Sequence, residues 1–264
     1  MESILEEIIE AKLGEVSRHK VACPIEALKK RIDNLPIPLN FSGALMGDRV
    51  SLIAEFKRRS PSRGLLNKEL SAEQLAKIYV QNGASAISVL TDQHFDGSLR
   101  DLTDIKEATS DSRVPILRKD FILDPYQIYE SRAYQADAIL LIVGILTDDQ
   151  LRNLLNKAQE LWMQVLVEVH TQSELERAII TGAEIIGINN RDLNTFNTDI
   201  SFTEKMVQQI PSGRIIVSES GIFNGSDVEF LRKLRVHAML VGEALMTSDN
   251  TAKKVRELAL GLDQ

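Results

Sequence analysis

Eight short apolar runs, each followed by a stretch with helical periodicity, constrain this chain more tightly than any other feature. They occupy residues 50–56, 85–90, 114–117, 137–143, 164–169, 184–188, 214–218 and 238–241. A strand exposed on one face alternates apolar and polar residues; a run that is apolar throughout marks a strand buried on both faces, as in a parallel sheet covered by helices. The intervening stretches open on helix-start signals: Ser71 with Gln74, Thr147 with Gln150, Thr171 with Glu174, Ser201 with Glu204, Ser226 with Glu229, and Pro125 directly after Asp124. Gly83 and Gly182 each stand at the close of such a stretch, where a left-handed residue ends a helix. Eight βα units within residues 49–264 predict an α/β fold of the (β/α)8 or TIM barrel type. An open doubly wound sheet competes less well, because the strand count is too high and no G-x-G-x-x-G follows the first run.

Residues 1–48 read as a helical extension belonging to the same single domain. Ile4, Leu5, Ile8, Ile9, Leu13 and Val16 recur at helical spacing, with an acidic outer face. A second short helix is predicted over residues 25–34, bracketed by Pro24, Pro36 and Pro38.

Composition excludes several classes of function. The 264 residues are 44% hydrophobic with 14 glycines and 7 prolines, enough for a core and unlike a disordered or collagen-like chain. A net charge of −7 argues against a nucleic-acid partner, though not against a small anion held by a few local cations. Cys23 is the single cysteine, so no internal disulfide and no paired zinc spacing exists. The N-terminus carries Glu2, Glu6, Glu7, Glu10 and Glu15 where a secretion signal would be basic and then apolar, which predicts a cytoplasmic protein. The longest apolar stretch, residues 136–146, is about half the roughly 20 residues a membrane helix needs, so no membrane partner is expected. Histidines 19, 94, 170 and 237 form no i,i+4 pair, and neither a metal nor a cofactor is expected. Trp162, beside Met163, is expected to pack at a helix-to-strand joint.

The ends of the runs carry the chemistry. Alternation along the first run puts Ile53, Glu55 and Lys57 on one face; Leu117 shares a face with Lys119, Leu166 with Glu168 and Val217 with Glu219, while Asn189 and Arg191 close the sixth unit. If the apolar members face the barrel axis, the polar ones gather at the C-terminal mouth, where barrel active sites lie. Burying them unpaired would cost several kcal/mol each, so such a cluster must pair internally or match a ligand. Together they offer acids, bases and anion clamps in one cavity. Ser220 and Gly221 after the seventh run, and Gly242 and Glu243 after the eighth, stand where barrels hold phosphate on backbone N–H groups.

These residues bring a family into view. The stretch Ile53-Ala54-Glu55-Phe56-Lys57-Arg58-Arg59-Ser60-Pro61-Ser62 resembles the signature of indole-3-glycerol-phosphate synthases. So do Phe95-Asp96-Gly97-Ser98, Leu117-Arg118-Lys119-Asp120-Phe121, Val167-Glu168-Val169-His170, Gly187-Ile188-Asn189-Asn190-Arg191-Asp192-Leu193, Ser218-Glu219-Ser220-Gly221-Ile222 and Val241-Gly242-Glu243-Ala244-Leu245-Met246. The resemblance implies ring closure of 1-(2-carboxyphenylamino)-1-deoxyribulose 5-phosphate with loss of carbon dioxide and water, in tryptophan biosynthesis. It further implies that Lys119 is the general acid and Glu168 the base or cation stabiliser. Lys57 would clamp the substrate carboxylate and offer a second acid, oriented by Glu55. Asn189, Arg191 and Glu219 would complete the polar wall. Ser60, Ser220, Gly221, Gly242 and Glu243 are assigned to substrate and phosphate contacts, the last through its backbone N–H. Phe95, Phe121, Leu140 and Phe196 are assigned as apolar walls for the anthranilate ring.

A lysine acid working near neutral pH would suit a lowered pKa, from desolvation or a cationic neighbour. The second asparagine of the sixth motif, Asn190, reads as tolerated variation. The extension resembles the family's extra N-terminal segment, which folds near the barrel mouth. Two alternatives compete. Phosphoribosylanthranilate isomerase would use a Cys–Asp pair, and Cys23 lies before the barrel; a noncatalytic phosphometabolite-binding barrel would need neither Lys119 nor Glu168. The chain lacks room for a second barrel, so a monofunctional enzyme is expected, as a monomer or weak homo-oligomer, with other tryptophan-pathway enzymes as possible partners.

Overall fold

The computed structural model describes residues 4–60, 64–65, 70–192 and 197–261. Among these, eight parallel strands close a barrel: β1 (Ser51–Phe56), β2 (Ala86–Leu90), β3 (Ile116–Lys119), β4 (Ala138–Ile142), β5 (Gln164–Val169), β6 (Ile185–Asn189), β7 (Ile215–Glu219) and β8 (Ala238–Val241). Each pairs with its sequence neighbours, and β1 closes the ring against β8 with Ile53 opposite Leu240. Each run anticipated from the sequence contains or overlaps one strand. A two-residue antiparallel ribbon, Arg59–Ser60 with Gly64–Leu65, follows β1.

Burial separates the two faces of the strands as the alternation requires. Ile53, Leu117, Leu166 and Val217 pack with Ala86, Ala138, Leu140 and Leu240 inside the barrel. Leu52, Ile87, Ile139, Val167 and Ile186 face outward, under the helices. The helices are α1 (Ile4–Ala22), α2 (Ile25–Ile32), α3 (Phe41–Leu45), α4 (Ala72–Gln81), α5 (Arg100–Ala108), α6 (Pro125–Ala133), α7 (Asp148–Glu160), α8 (Gln172–Ile180), α9 (Ser201–Val207), α10 (Gly225–Lys233), α11 (Glu243–Met246) and α12 (Thr251–Leu260).

The helix starts follow the expected chemistry at Ser71, Asp124, Thr147 and Thr171, whose side chains accept from the first-turn backbone. Two helix starts differ from the sequence reading. Asn224, not Ser226, caps α10 and forms its box with Asp227. Before α9, Ile200 offers no side-chain cap, and Asp199, one residue earlier, accepts the Ser201 N–H at 2.9 Å. Asn and Asp are at least as good N-caps as Ser, so position decided between them. Trp162 does not pack at a joint: it takes the left-handed position closing α7, at φ +61°, and is 77% exposed, while Met163 turns inward.

The extension touches both ends of the barrel. At the C-terminal mouth, Lys12 of α1 reaches Asp92 at 2.7 Å and Asp120 at 2.9 Å, the residues just beyond β2 and β3. At the opposite end, the short helix α3, which the sequence reading did not anticipate, puts Phe41 and Leu45 into the barrel interior. It is held there by Leu39 N–H to Asp137 and Ser42 N–H to Gln164, both 2.8 Å, at the entrances of β4 and β5. Burying these two side chains contributes about 1.5–3 kcal/mol each and stops the barrel floor.

Candidate active site

Strand alternation alone brings four charged side chains onto one layer above the apolar interior. Lys119 ends β3 with its Nζ 3.6 Å from Glu55 of β1, 3.6 Å from Glu168 of β5 and 3.4 Å from Glu219 of β7. Lys57 lies beyond the end of β1, 3.1 Å from the other oxygen of Glu55. Asn189 ends β6, and its side-chain oxygen accepts the Arg191 N–H at 3.0 Å. Arg191 in turn reaches Glu243 of α11 at 3.3 Å. The structure thus brings Glu55, Lys57, Lys119, Glu168, Asn189 and Glu219 to one rim.

Two glycines make this layer possible. A Cβ at Gly187 would lie under 3.0 Å from Glu219 Oε1, and one at Gly242 equally close to Glu55 Oε1. Gly187 occupies an inward position of β6, where a side chain would take the space that the Glu219 carboxyl fills. Gly187→Ala is therefore expected to cost about 1–3 kcal/mol through overpacking and to push Glu219 off Lys119. A thermal melt and a turnover assay check it; unchanged values in both would mean that the carboxyl has other room.

The charges settle one another. Burial works to raise Glu55 and Glu168, but Lys57 and Lys119 outweigh it at the first, and Lys119 with His170 at the second, so both lie below the usual glutamate value. Glu219 goes the other way: burial, and then the negative charge of Glu168, push it well above the usual range. Two neighbouring carboxyls whose pKa values are pushed in opposite directions are a pattern found at acid–base sites. Burial would lower Lys119, but Glu168, Glu219 and Glu55 together raise it. This reverses the sequence expectation of a lowered lysine pKa: desolvation is present, but the neighbours are anions, not cations.

The turn after β7 is a backbone feature. Ser220 and Gly221 are consecutive left-handed residues, at φ +67° and +75°, immediately after β7. Asn190 locks this turn, and it is not an idle variation. Its amide donates to the Ser220 carbonyl and to Ser218 Oγ, both at 3.0 Å, and its oxygen accepts from Thr203 N–H and Oγ1 of α9. A buried amide with all four bonds made holds its surroundings in one arrangement. The signal was in the sequence: the second of two adjacent asparagines at a strand end must face away from the first, into the helix layer.

Among the apolar candidates, Phe121 is half-buried against the barrel interior, Leu140 is buried within it, and Phe95 is half-buried in the turn after β2. Phe196 and the side chain of Ser60 lie outside the described residues. Sequence reasoning also missed His170, whose Nε2 is 3.3 Å from Glu168 Oε1. Cys23 lies between α1 and α2, against the cluster of Val16, Leu28 and Tyr126, away from this rim.

A closed parallel barrel with a cluster of buried charges on inward strand ends, and a left-handed turn after β7, defines a (β/α)8 barrel, a fold whose enzymes carry their sites at the C-terminal mouth. A family model described as indole-3-glycerol phosphate synthase matches residues 5–258. The chain is 49% identical over 257 residues to the indole-3-glycerol phosphate synthase of Dehalococcoides mccartyi, covering 97% of this chain and 99% of that one. It is likewise 49% identical over 259 residues to that of Desulforamulus reducens, covering 97% of each. Among solved structures, 3-hexulose-6-phosphate synthase from Salmonella typhimurium superposes with a TM-score of 0.64 at 16% identity, covering 80% of this chain and 97% of that one, which shows the shared fold alone. The chain belongs to the indole-3-glycerol phosphate synthase family, and its activity is that of a carboxy-lyase of tryptophan biosynthesis.

Proposed function

We propose that the rim residues divide the family reaction on 1-(2-carboxyphenylamino)-1-deoxyribulose 5-phosphate as follows. The observation that carries the reading is a single ammonium group held 3.4–3.6 Å from three buried carboxyls. The substrate phosphate lies on the backbone N–H groups of the Ser220–Gly221 turn and of Gly242–Glu243. The carboxylate lies against Lys57, oriented by Glu55. Phe95, Phe121 and Leu140 border the aromatic ring, and Asn189, Arg191 and Glu219 hold the ribulose chain.

The aryl carbon that bears the carboxylate attacks the ketone carbon, and the C=O electrons move to oxygen. Lys119 donates its proton to that oxygen. Its raised pKa suits this step, since the lysine stays charged until an alkoxide, a stronger base than any carboxylate nearby, develops beside it. Breaking the bond to the carboxylate releases carbon dioxide and returns the electron pair to the ring. The hydroxyl then leaves as water, taking a proton from Lys57 or Glu219, while Glu168 removes a proton from the neighbouring ring carbon.

Purified protein is expected to turn this substrate into a fluorescent indole product without added metal or cofactor. Substrate lost only at the background rate, in well-folded protein, would overturn the reading. In the cell we place the enzyme in the cytoplasm, as a monomer or weak homo-oligomer, with α1 of the N-terminal extension bordering the barrel mouth and α3 closing its floor; gel filtration over a range of concentrations tests the oligomeric state.

A further inference from the structure

His170 stands two residues beyond Glu168, at the end of β5, and its side chain is 5% exposed. Each ring nitrogen faces a different carboxylate: Nε2 is 3.3 Å from Glu168 Oε1, and Nδ1 is 3.6 Å from Glu174 Oε2. Glu174 cannot easily turn away. It accepts the His170 backbone N–H at 2.8 Å from the first turn of α8, and Gly144 gives it room, since a Cβ there would stand 3.3 Å from its Oε1. Neither ring nitrogen completes a hydrogen bond at these distances, so the contact is one of charge: a neutral imidazole offers these carboxylates little, whereas an imidazolium stands between two opposite charges. Glu168 Oε2, on the far side of the same carboxylate, is buried, carries no hydrogen bond and faces Lys119 at 3.6 Å.

We propose that His170 is a positioning residue for Glu168: as an imidazolium braced by Glu174, it pins Glu168 Oε1, keeps the carboxylate ionised and leaves Oε2 turned toward Lys119 to take the substrate proton. The inference rests on Glu168 being the base of the reaction proposed above. The charged groups facing the imidazole are Glu168 on its own strand, Glu174 on α8 and, with the opposite influence, Lys119 on β3; the two carboxylates outweigh burial and hold the imidazole above its ordinary value.

The sign of the effect follows. Glu168 titrates in the acid range, where His170 is charged, so removing the imidazolium raises the Glu168 pKa; an opposite charge this close lowers a carboxylate by about 1–3 units. In His170→Asn the acid limb of the pH–turnover profile is therefore expected to move up by about one unit, roughly a tenfold loss at the foot of the limb. The two profiles should approach one another at alkaline pH, where the imidazole has lost its charge. Glu174→Gln, which leaves the ring in place, should move the limb the same way by less. Parallel profiles with one acid limb would mean a structural role only and would overturn the inference.

An NMR titration of His170 measures the coupling without turnover. In Glu168→Gln the imidazole pKa is expected to fall by about one unit. Full turnover of Glu168→Gln would remove the base reading and the inference with it; an unshifted imidazole in an inactive Glu168→Gln would remove the inference alone.

Discussion

Lys119→Ala is expected to lower turnover by about 10³- to 10⁴-fold while the barrel still folds. A positioned general acid is worth roughly 10²–10⁴, and this lysine also supplies the positive charge nearest to the developing alkoxide. The fold should survive because each carboxyl it leaves behind has another resource. Glu55 keeps Lys57 at 3.1 Å, Glu168 keeps His170 at 3.3 Å, and burial with the charge of Glu168 already pushes the Glu219 pKa upward, so its carboxyl depends least on the lysine. The pH dependence of stability carries a separate signature. Glu55 and Glu168 lie below the ordinary value of 4.5, so their ionisation stabilises the native state above that pH and the contribution is lost as the pH falls below it. Without Lys119 both move upward, so the acid edge of stability moves to higher pH. Turnover, circular dichroism and melting temperature against pH check these expectations together. Retention of more than about a tenth of the turnover would show that Lys57 or Glu219 carries the first proton transfer.

The inward charges were legible from the sequence because one rule governs them: on a strand whose apolar side chains fill the barrel axis, a polar residue two positions further on must share that axis. Glu55, Lys119, Glu168 and Glu219 follow from this rule with no knowledge of their partners. What was not legible depends on partners far along the chain. Lys119 and Glu219 are 100 positions apart, and that the carboxylates raise the lysine pKa is a fact of their approach, not of either residue. Arg118, on the outward face of β3, is a further case. It is buried under α6 with Asp120 at 2.9 Å and Glu130 at 3.0 Å, and no alternation rule asks for an arginine there. His170 and Asn190 belong to the same class: their residue types permit many environments, and only the packing of α8 and α9 selects one. The floor helix α3 escaped notice because its five residues are too few to display a period.

The same reasoning gives the largest expected effect on stability, at Lys12. Its ammonium is fully buried between Asp92 at 2.7 Å, Asp120 at 2.9 Å and Glu15 at 3.1 Å, and it fastens α1 to the loops after β2 and β3, the latter also reached by Lys20 through Asp124. Lys12→Met keeps the length of the side chain and removes the charge, leaving buried carboxylates without it. Breaking a buried pair on one side costs about 3–5 kcal/mol, which in a chain of this size lowers the melting temperature by roughly 10 °C. The cost should not be shared evenly. Asp120 keeps Arg118 at 2.9 Å and the Thr91 hydroxyl at 2.6 Å, whereas Asp92, among the described residues, keeps only its neighbour His94. Adding Asp92→Asn to Lys12→Met is therefore expected to recover about half of the loss, and adding Asp120→Asn to recover less, since it deprives Arg118 as well. Calorimetry on the single and double variants separates these cases. Turnover is expected to fall alongside stability even where Lys12→Met is folded, because Asp120 adjoins Lys119 and a lysine shifted from its three carboxyls no longer meets the ketone oxygen. A melting temperature within about 2 °C of the wild type would mean that the network barely repays its own desolvation, and that α1 is held by its apolar face and by the pairs of His19 and Lys20 with Glu130 and Asp124.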